Sequence, residues 1–191
     1  MLEITEDGII GTPPDRMAAI KKKPIIGKLA LRMTRWLRAI NVERHLDTGD
    51  LHIDIGCGDG YFLFRSPYKR RIGYDILMGD SDEITNNLDF PDNSVDLVSM
   101  LAVIEHLPDP LVTLKEIHRV LKPGHKLVLT TPKEAAERVI NLYVSHVEDV
   151  HEIYFDQKSM QEMVDGLFEV TGYHTFIFGL NQAFCLTKLE N

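Results

Sequence analysis

The fold this sequence predicts is a three-layer αβα sandwich built on a doubly wound, mostly parallel sheet. Two observations carry that reading: short, almost wholly apolar runs alternate with amphipathic stretches, and glycine- or proline-marked turns separate them. A third is that the last two apolar runs are separated only by Gly179-Leu180-Asn181-Gln182, so the sheet should end in an antiparallel hairpin.

Each element has its own signal. Residues 11–24 are turn-rich and read as an irregular lead-in. From Ile25, the residues Ile26, Leu29, Met33, Trp36, Leu37 and Ile40 recur every three or four positions, predicting an amphipathic helix over 25–44 with Lys28, Arg32, Arg35 and Arg38 toward water. "LHIDI" (51–55) is a short buried strand closed by a glycine turn, after which "GYFLF" opens a helix that must stop before Pro67. "RIGYDI" (71–76) is a second strand, and 77–94 is polar and turn-rich without a helical period. "VDLVSML" (95–101) is a third strand. A helix over 108–121 starts at prolines and stops at Lys122-Pro123-Gly124. "HKLVLTTP" (125–132) is the fourth strand, a helix covers about 133–146, and another opens at Asp156. "HTFIFG" and "AFCLTKL" form the closing hairpin. The division expected is a basic helical arm or lid over 1–46 and one catalytic domain over 47–191.

Composition narrows the function. The chain has 191 residues and a net charge of -8, but residues 16–45 carry nine Lys/Arg against the single acid Glu43. The rest is therefore strongly acidic, which disfavours nucleic acid, whose binding rests on phosphate neutralisation. The basic helix has three readings: packing as a lid, contact with an anionic surface, or a grip on an anionic acceptor. No run approaches the roughly 20 apolar residues of a membrane span. The acidic start lacks the pattern of a secretory leader. Two cysteines make no disulfide framework, so a cytoplasmic location is expected. No metal site is expected; His146, Asp149 and His151 match no strong ligand spacing.

"IDIGCGDGYF" (53–62) holds the chemistry. Glycine in a strand-to-helix turn serves either a positive φ or something packed against bare main chain. A dinucleotide fingerprint would need glycine at 61, where Tyr61 stands, which argues against a nicotinamide oxidoreductase. The pattern is instead G-x-G-x-G behind an acid. Together with "RIGYDI", "LDFPDNSVDLVSMLAVIEHLPDP" and "LKEIHRVLKPGHKLVLTTP", in that order from Leu51 onward, it resembles the class I S-adenosylmethionine-dependent methyltransferases. The closest likeness is to the small-molecule, type 11-like domain on a Rossmann-like sheet.

That resemblance implies S-adenosylmethionine as cofactor, S-adenosylhomocysteine as product and a small-molecule acceptor methylated by in-line displacement. It implies that Asp75, with Ile76 beside it, takes the ribose hydroxyls, since hydrogen bonds to a carboxylate are strong. Gly56, Cys57 (through its backbone), Gly58 and Gly60 would meet the methionyl part, with Asp54 orienting the loop, so bare main chain for close ligand approach is the expected role of the glycines. Met100, Leu101 and Ala102 would line the methionyl side, Leu88 the adenine edge, and His106 would take the acceptor's proton. One departure stands out. Only twelve residues, 76–87, separate Asp75 from "LDF", where the family usually has a helix and another strand. The sheet edge should therefore be abbreviated, with Asp80, Asp82 or the backbone near Ile84–Thr85 serving adenine. A cofactor-binding sensor or assembly module without turnover is the alternative reading.

Overall fold

The computed structural model describes residues 1–11, 25–75, 87–136 and 153–190. Its core is one eight-stranded sheet. The strands are β1 (Leu2–Thr5), β2 (Gly8–Ile10), β3 (Leu51–Ile55), β4 (Arg70–Tyr74), β5 (Val95–Leu101), β6 (Leu121–Pro132), β7 (Phe168–Phe176) and β8 (Asn181–Lys188). Among the described residues three helices pack on it: α1 (Ile25–Glu43), α2 (Pro110–Val120) and α3 (Gln157–Met163). The order across the sheet is β2-β1-β4-β3-β5-β6-β8-β7. The central strands β4, β3, β5 and β6 run parallel, and an antiparallel hairpin completes each edge.

Apolar runs explain the centre. β3 and β5 span the residues their sequence predicts, because both faces are covered. On one face Ile53, Ile55, Val98, Met100, Leu127 and Leu129 meet Leu114, Ile117 and Val120 of α2 and Met160 of α3. On the other, Leu97, Val128, Ala183 and Cys185 meet Ala39 and Val42 of α1. Caps fix the helix starts, at Asp156 as expected and at Asp109 where the sequence points to the prolines alone. Asp109 accepts from the backbone N–H groups of Leu111 and Val112 ahead of Pro110, and Asp156 forms a capping box with Ser159.

Three expectations are corrected. The glycine turn leads not into a helix but into a single 3-10 turn, Leu63–Arg65; Ser66 and Pro67 end it at once, leaving no room for more. The edge beside β4 is not bare, because the chain's own start fills it. "LEIT" and "GII" fold across Glu6-Asp7 as a hairpin whose β1 pairs antiparallel with β4, Leu2 opposite Gly73 and Ile4 opposite Arg71. Leu2 and Ile4 then bury against Cys57 and Leu63. Asp-Gly is a strong hairpin signal, hidden here by the acidic residues around it. The segment expected to be a helical arm thus begins inside the sheet.

The third correction is the facing of α1. Leu29, Met33 and Trp36 lie exposed, while Arg35, Arg38, Ala39 and Val42, at i, i+3, i+4 and i+7, form the inward stripe. Arg35 pairs with Asp59 at 2.5 Å and lies 4.3 Å over the Tyr61 ring. The inward face carries two arginines, one of which pairs with an acid, and a hydrophobicity criterion assigns both to water. The helix expected beyond residue 136 lies outside the described residues.

At the amino ends of the parallel strands, Asp96 accepts from the N–H groups of Asp50 and Leu51 and pairs with Lys122 at 2.5 Å. Burial opposes its charge, but these partners prevail and hold its carboxyl below the ordinary 3.8. Its stabilisation is therefore present above that value and lost as pH falls through and below it. Asp96→Asn should lower unfolding free energy by about 1–3 kcal/mol at neutral pH, measured by urea denaturation, with the difference from wild type shrinking below about pH 4.

Candidate active site at the carboxyl ends of the parallel strands

In a parallel sheet of this kind ligands bind beyond the carboxyl ends of the strands, where β3, β4 and β5 deliver the residues singled out above. The turn after β3 is held by backbone: the N–H groups of Gly56 and Cys57 both donate to the Tyr74 carbonyl, at 2.8 and 3.1 Å. Asp75, at the end of β4, accepts from the Gly58 N–H at 2.7 Å and is 4% exposed. It fixes the glycine turn to the neighbouring strand.

All three glycines take positive φ, 70° at Gly56, 57° at Gly58 and 76° at Gly60. The path of the chain therefore requires glycine in its own right. The bare faces of two of them also meet protein. A Cβ on Gly56 would lie 2.2 Å from Cγ2 of Val103, and one on Gly60 2.7 Å from Leu2. The glycine at 56 lets the turn after β5 close over the turn after β3, which places Val103, Ile104 and Glu105 beside it. Cys57 is buried and packs its thiol on Gly73.

Asp54 occupies the face of β3 that looks toward α1. Its Oδ1 accepts from the Ser99 hydroxyl at 2.5 Å; Ser99 in turn lies 2.7 Å from Nε2 of His52, whose Nδ1 lies 2.8 Å from the Ser66 hydroxyl. All four are buried. Burial holds the imidazole neutral, pushing it down to about 3 with Arg71 adding to the effect. A neutral ring has one N–H, and the Ser99 hydroxyl already donates to Asp54. So Nε2–H donates to Ser99, and Nδ1 accepts from Ser66. Asp54 ends this chain with a neutral donor. Burial pushes its carboxyl up to about 7; the Ser99 hydrogen bond opposes this and the charge of Asp75 adds to it. Two acids thus flank the turn, and a cation bound between them would relieve both burial and repulsion.

The remaining predicted residues divide. Met100 is buried in the sheet and Leu101 half-buried at its end, while Ala102 takes φ 58° with its N–H on the Thr130 carbonyl at 2.8 Å. Such a conformation in a non-glycine residue marks a strained strand exit. Leu88 is buried, and its N–H donates to Glu116 while its carbonyl accepts from Arg119, tying it to α2. His106 is exposed at the end of the 3-10 turn Ile104–His106, whereas Glu105 beside it is buried. Ile76, Asp80, Asp82, Ile84 and Thr85 lie outside the described residues, as do His146, Asp149 and His151. Among the described residues no cluster of metal-ligand type occurs, and no helix is long and apolar enough to cross a membrane. His52 and Ser99 were not singled out from sequence, though a lone serine in "VDLVSML" and a histidine two places before Asp54 share a face by strand periodicity.

A family model described as a methyltransferase domain matches residues 27–167. Among curated relatives, a tRNA U34 carboxymethyltransferase of Nautilia profundicola is 29% identical over 124 residues, 54% of this chain and 41% of that protein. A demethylmenaquinone methyltransferase of Staphylococcus haemolyticus is 38% identical over 145 residues, 63% of this chain and 56% of that protein. The chain therefore spans about half the length of these relatives or less. Among solved structures, the methyltransferase complexed with the Trm112 activator from Haloferax volcanii superposes with a TM-score of 0.64 at 18% identity, covering 81% of this chain and 91% of that one. A SAM-dependent methyltransferase from Aquifex aeolicus gives 0.58 at 16% identity, covering 79% and 89%.

The Asp54 chain has a direct signature. In carboxyl-carbon NMR Asp54 should titrate near pH 7, and Ser99→Ala, by removing the donor to its charged form, should move that titration upward. A raised folded value means that stability is fully present below the ordinary carboxyl range and lost as pH rises through about 7. Asp54→Asn should flatten that part of the stability profile in urea titrations.

Proposed function

The chain belongs to the methyltransferase-domain family, and we propose that it transfers the methyl group of S-adenosylmethionine to a small-molecule acceptor. The observation that carries this reading is the pair of buried carboxylates, Asp54 and Asp75, on either side of a glycine turn at the carboxyl ends of parallel strands. The residues fit the cofactor: Asp54 has a neutral hydroxyl as its hydrogen-bond partner and sits in the field of a second acid, so the site favours a ligand that brings positive charge. Bound there, S-adenosylmethionine supplies an electrophilic methyl group on a cationic sulfur.

The chain's own residues then do four things. Asp75 presents a carboxylate to the ribose hydroxyls while keeping the Gly58 N–H engaged. Asp54 faces the methionyl amino end, held in place by Ser99 and His52. Gly56, Cys57 and Gly58 give a turn whose backbone follows the ligand closely. Met100, Leu101 and Ala102 form the adjoining wall at the exit of β5. In a displacement at a charged sulfur, most of the acceleration can come from alignment and exclusion of water, so few catalytic side chains are required. His106, exposed at the rim of the site, is one of two neighbouring groups, with Glu105, that can take the acceptor's proton.

A small acceptor is favoured because the net charge of -8 repels polyanions. The competing reading is a nucleic-acid acceptor, which two curated relatives carry in their names.

Calorimetry should show binding of S-adenosylmethionine and S-adenosylhomocysteine in preference to NAD. Asp75→Asn, which keeps an acceptor for Gly58, should weaken binding by about tenfold or more. Absence of binding by either nucleoside would remove the proposal, and binding without turnover against a broad acceptor pool would favour the sensor reading.

A further inference from the structure

The exits of β5 and β6 and the near end of β8 hold a group of polar atoms that nothing in the fold satisfies. Glu105 is 1% exposed, and neither Oε1 nor Oε2 has a hydrogen-bond partner in full geometry, although its own backbone and the Thr131 side chain lie close enough to favour its charged form. Nε of Arg38, on the inward stripe of α1, is also buried without a partner, as are the hydroxyl of Thr130 and Oδ1 of Asn181. Register places several of these together. Thr130 lies opposite Leu101, and Ala183 opposite Thr130, so Thr130 and Asn181 share the sheet face that carries Asp54 and Ser99 and is covered by α1. Glu105 stands two residues beyond Val103, whose methyl group rests on Gly56.

Buried polar groups are nearly always paired, and one left unpaired costs roughly 1–3 kcal/mol. Four residues with orphaned atoms at one end of one sheet are therefore unusual for a structural core. Arg38 and Glu105 sharpen the point. Each feels the other's charge, yet no hydrogen bond or ion pair joins them among the described residues. A structural ion pair buried for stability would close its contact, since an uncompensated buried charge is strongly destabilising.

We propose that Arg38 and Glu105 are the two poles of the acceptor subsite, and that the acceptor carries an N–H or O–H group for Glu105 and an anionic group, a carboxylate or phosphate, for Arg38. The inference rests on the methyltransferase reading above and names the substrate class of the same site. The Arg38 Nε–H has no acceptor of its own, and the Glu105 carboxylate has lone pairs to spare. A ligand bearing a donor at one end and an anion at the other completes both, and the Thr130 hydroxyl and Asn181 carbonyl add hydrogen-bonding capacity on the same face.

The chemistry balances. The acceptor's X–H bond breaks as its electron pair forms the X–CH3 bond. The electron pair of the breaking C–S bond stays on sulfur, and the released proton passes to the Glu105 carboxylate and from there to solvent. Burial pushes that carboxyl up to about 7, against the opposing influence of its own backbone, Arg38 and Thr131, which suits it to take a proton near neutrality.

The test uses the full chain saturated with S-adenosylhomocysteine and three probes that carry the two groups at different spacings: glycine, 4-aminobutyrate and 4-hydroxybenzoate. Ligand-observed NMR should detect at least one probe on the wild type. Arg38→Met should reduce that binding about tenfold or more, and Glu105→Gln should weaken it as well. Both variants should keep S-adenosylhomocysteine affinity, and Glu105→Gln should leave the denaturation midpoint unchanged or raised. Binding of no probe, equal probe binding by the variants, or a midpoint lowered in Glu105→Gln as for a broken structural pair would each overturn the proposal. Loss of S-adenosylhomocysteine binding by the wild type would instead strike the methyltransferase reading itself.

Discussion

An ionisable carboxyl with no cation beside it, buried at the end of a central strand, is the constraint around which this structure is arranged. Asp54 cannot be moved toward water, because β3 is flanked by β4 and β5 and covered on both faces. It cannot be left without a donor either, since an orphaned buried acceptor is costly. The Ser99 hydroxyl supplies that donor, and Ser99 is itself fixed by His52, which is fixed by Ser66. Burial keeps the imidazole neutral, so the chain delivers a hydrogen bond without a counter-charge. The result is an acid held in one orientation and incompletely stabilised when ionised. In the proposed function a positively charged ligand supplies what is missing.

The same economy explains the sheet edge. β4 has β3 on one side, and its other side takes its partner from elsewhere in the chain. An open edge beside β4 would expose unpaired N–H and C=O groups next to the glycine turn. The N-terminal hairpin covers it, and Leu2 packs on Gly60 while doing so. Residues far apart in sequence thus support one turn from two sides, Leu2 at Gly60 and Val103 at Gly56.

What the sequence disclosed follows the strength of each local signal. "LHIDI" and "VDLVSML" are apolar runs between turn residues and fold as strands over those residues. Asp109-Pro110 and Asp156 are caps with a mechanism, and both start helices. "LEITEDGII" hid a hairpin because β1 alternates buried Leu2 and Ile4 with half-buried Glu3 and Thr5 and β2 at the edge is exposed, so the start read only as acidic. The helix expected after the glycines was an inference from the usual strand-turn-helix pattern, which Ser66-Pro67 cut short. At the site, glycines and acids were legible as types. Their physical reasons, positive φ and contact with Val103 and Leu2, depend on partners distant in sequence. Glu105 and His106 are adjacent, and nothing local says which of them turns inward.

The orientation of α1 is where the levels of description disagree most, and the disagreement has a location. Hydrophobicity alone would bury Leu29, Met33 and Trp36, each worth about 1.5–3 kcal/mol if removed from water. The helix instead turns Arg35 and Arg38 inward. What it gains there is modest: a partly exposed ion pair with Asp59, worth up to about 1 kcal/mol, and burial of the small side chains of Ala39 and Val42. Arg38 adds a desolvated charge whose Nε–H has no hydrogen-bond partner. Packing does not account for this facing, and natural sequences break local rules chiefly where function requires it. The stripe that breaks the rule carries Arg38 to the same corner of the sheet as Glu105, Thr130 and Asn181, so the cost and the unsatisfied polar atoms have one explanation. The helix is oriented for what binds beneath it.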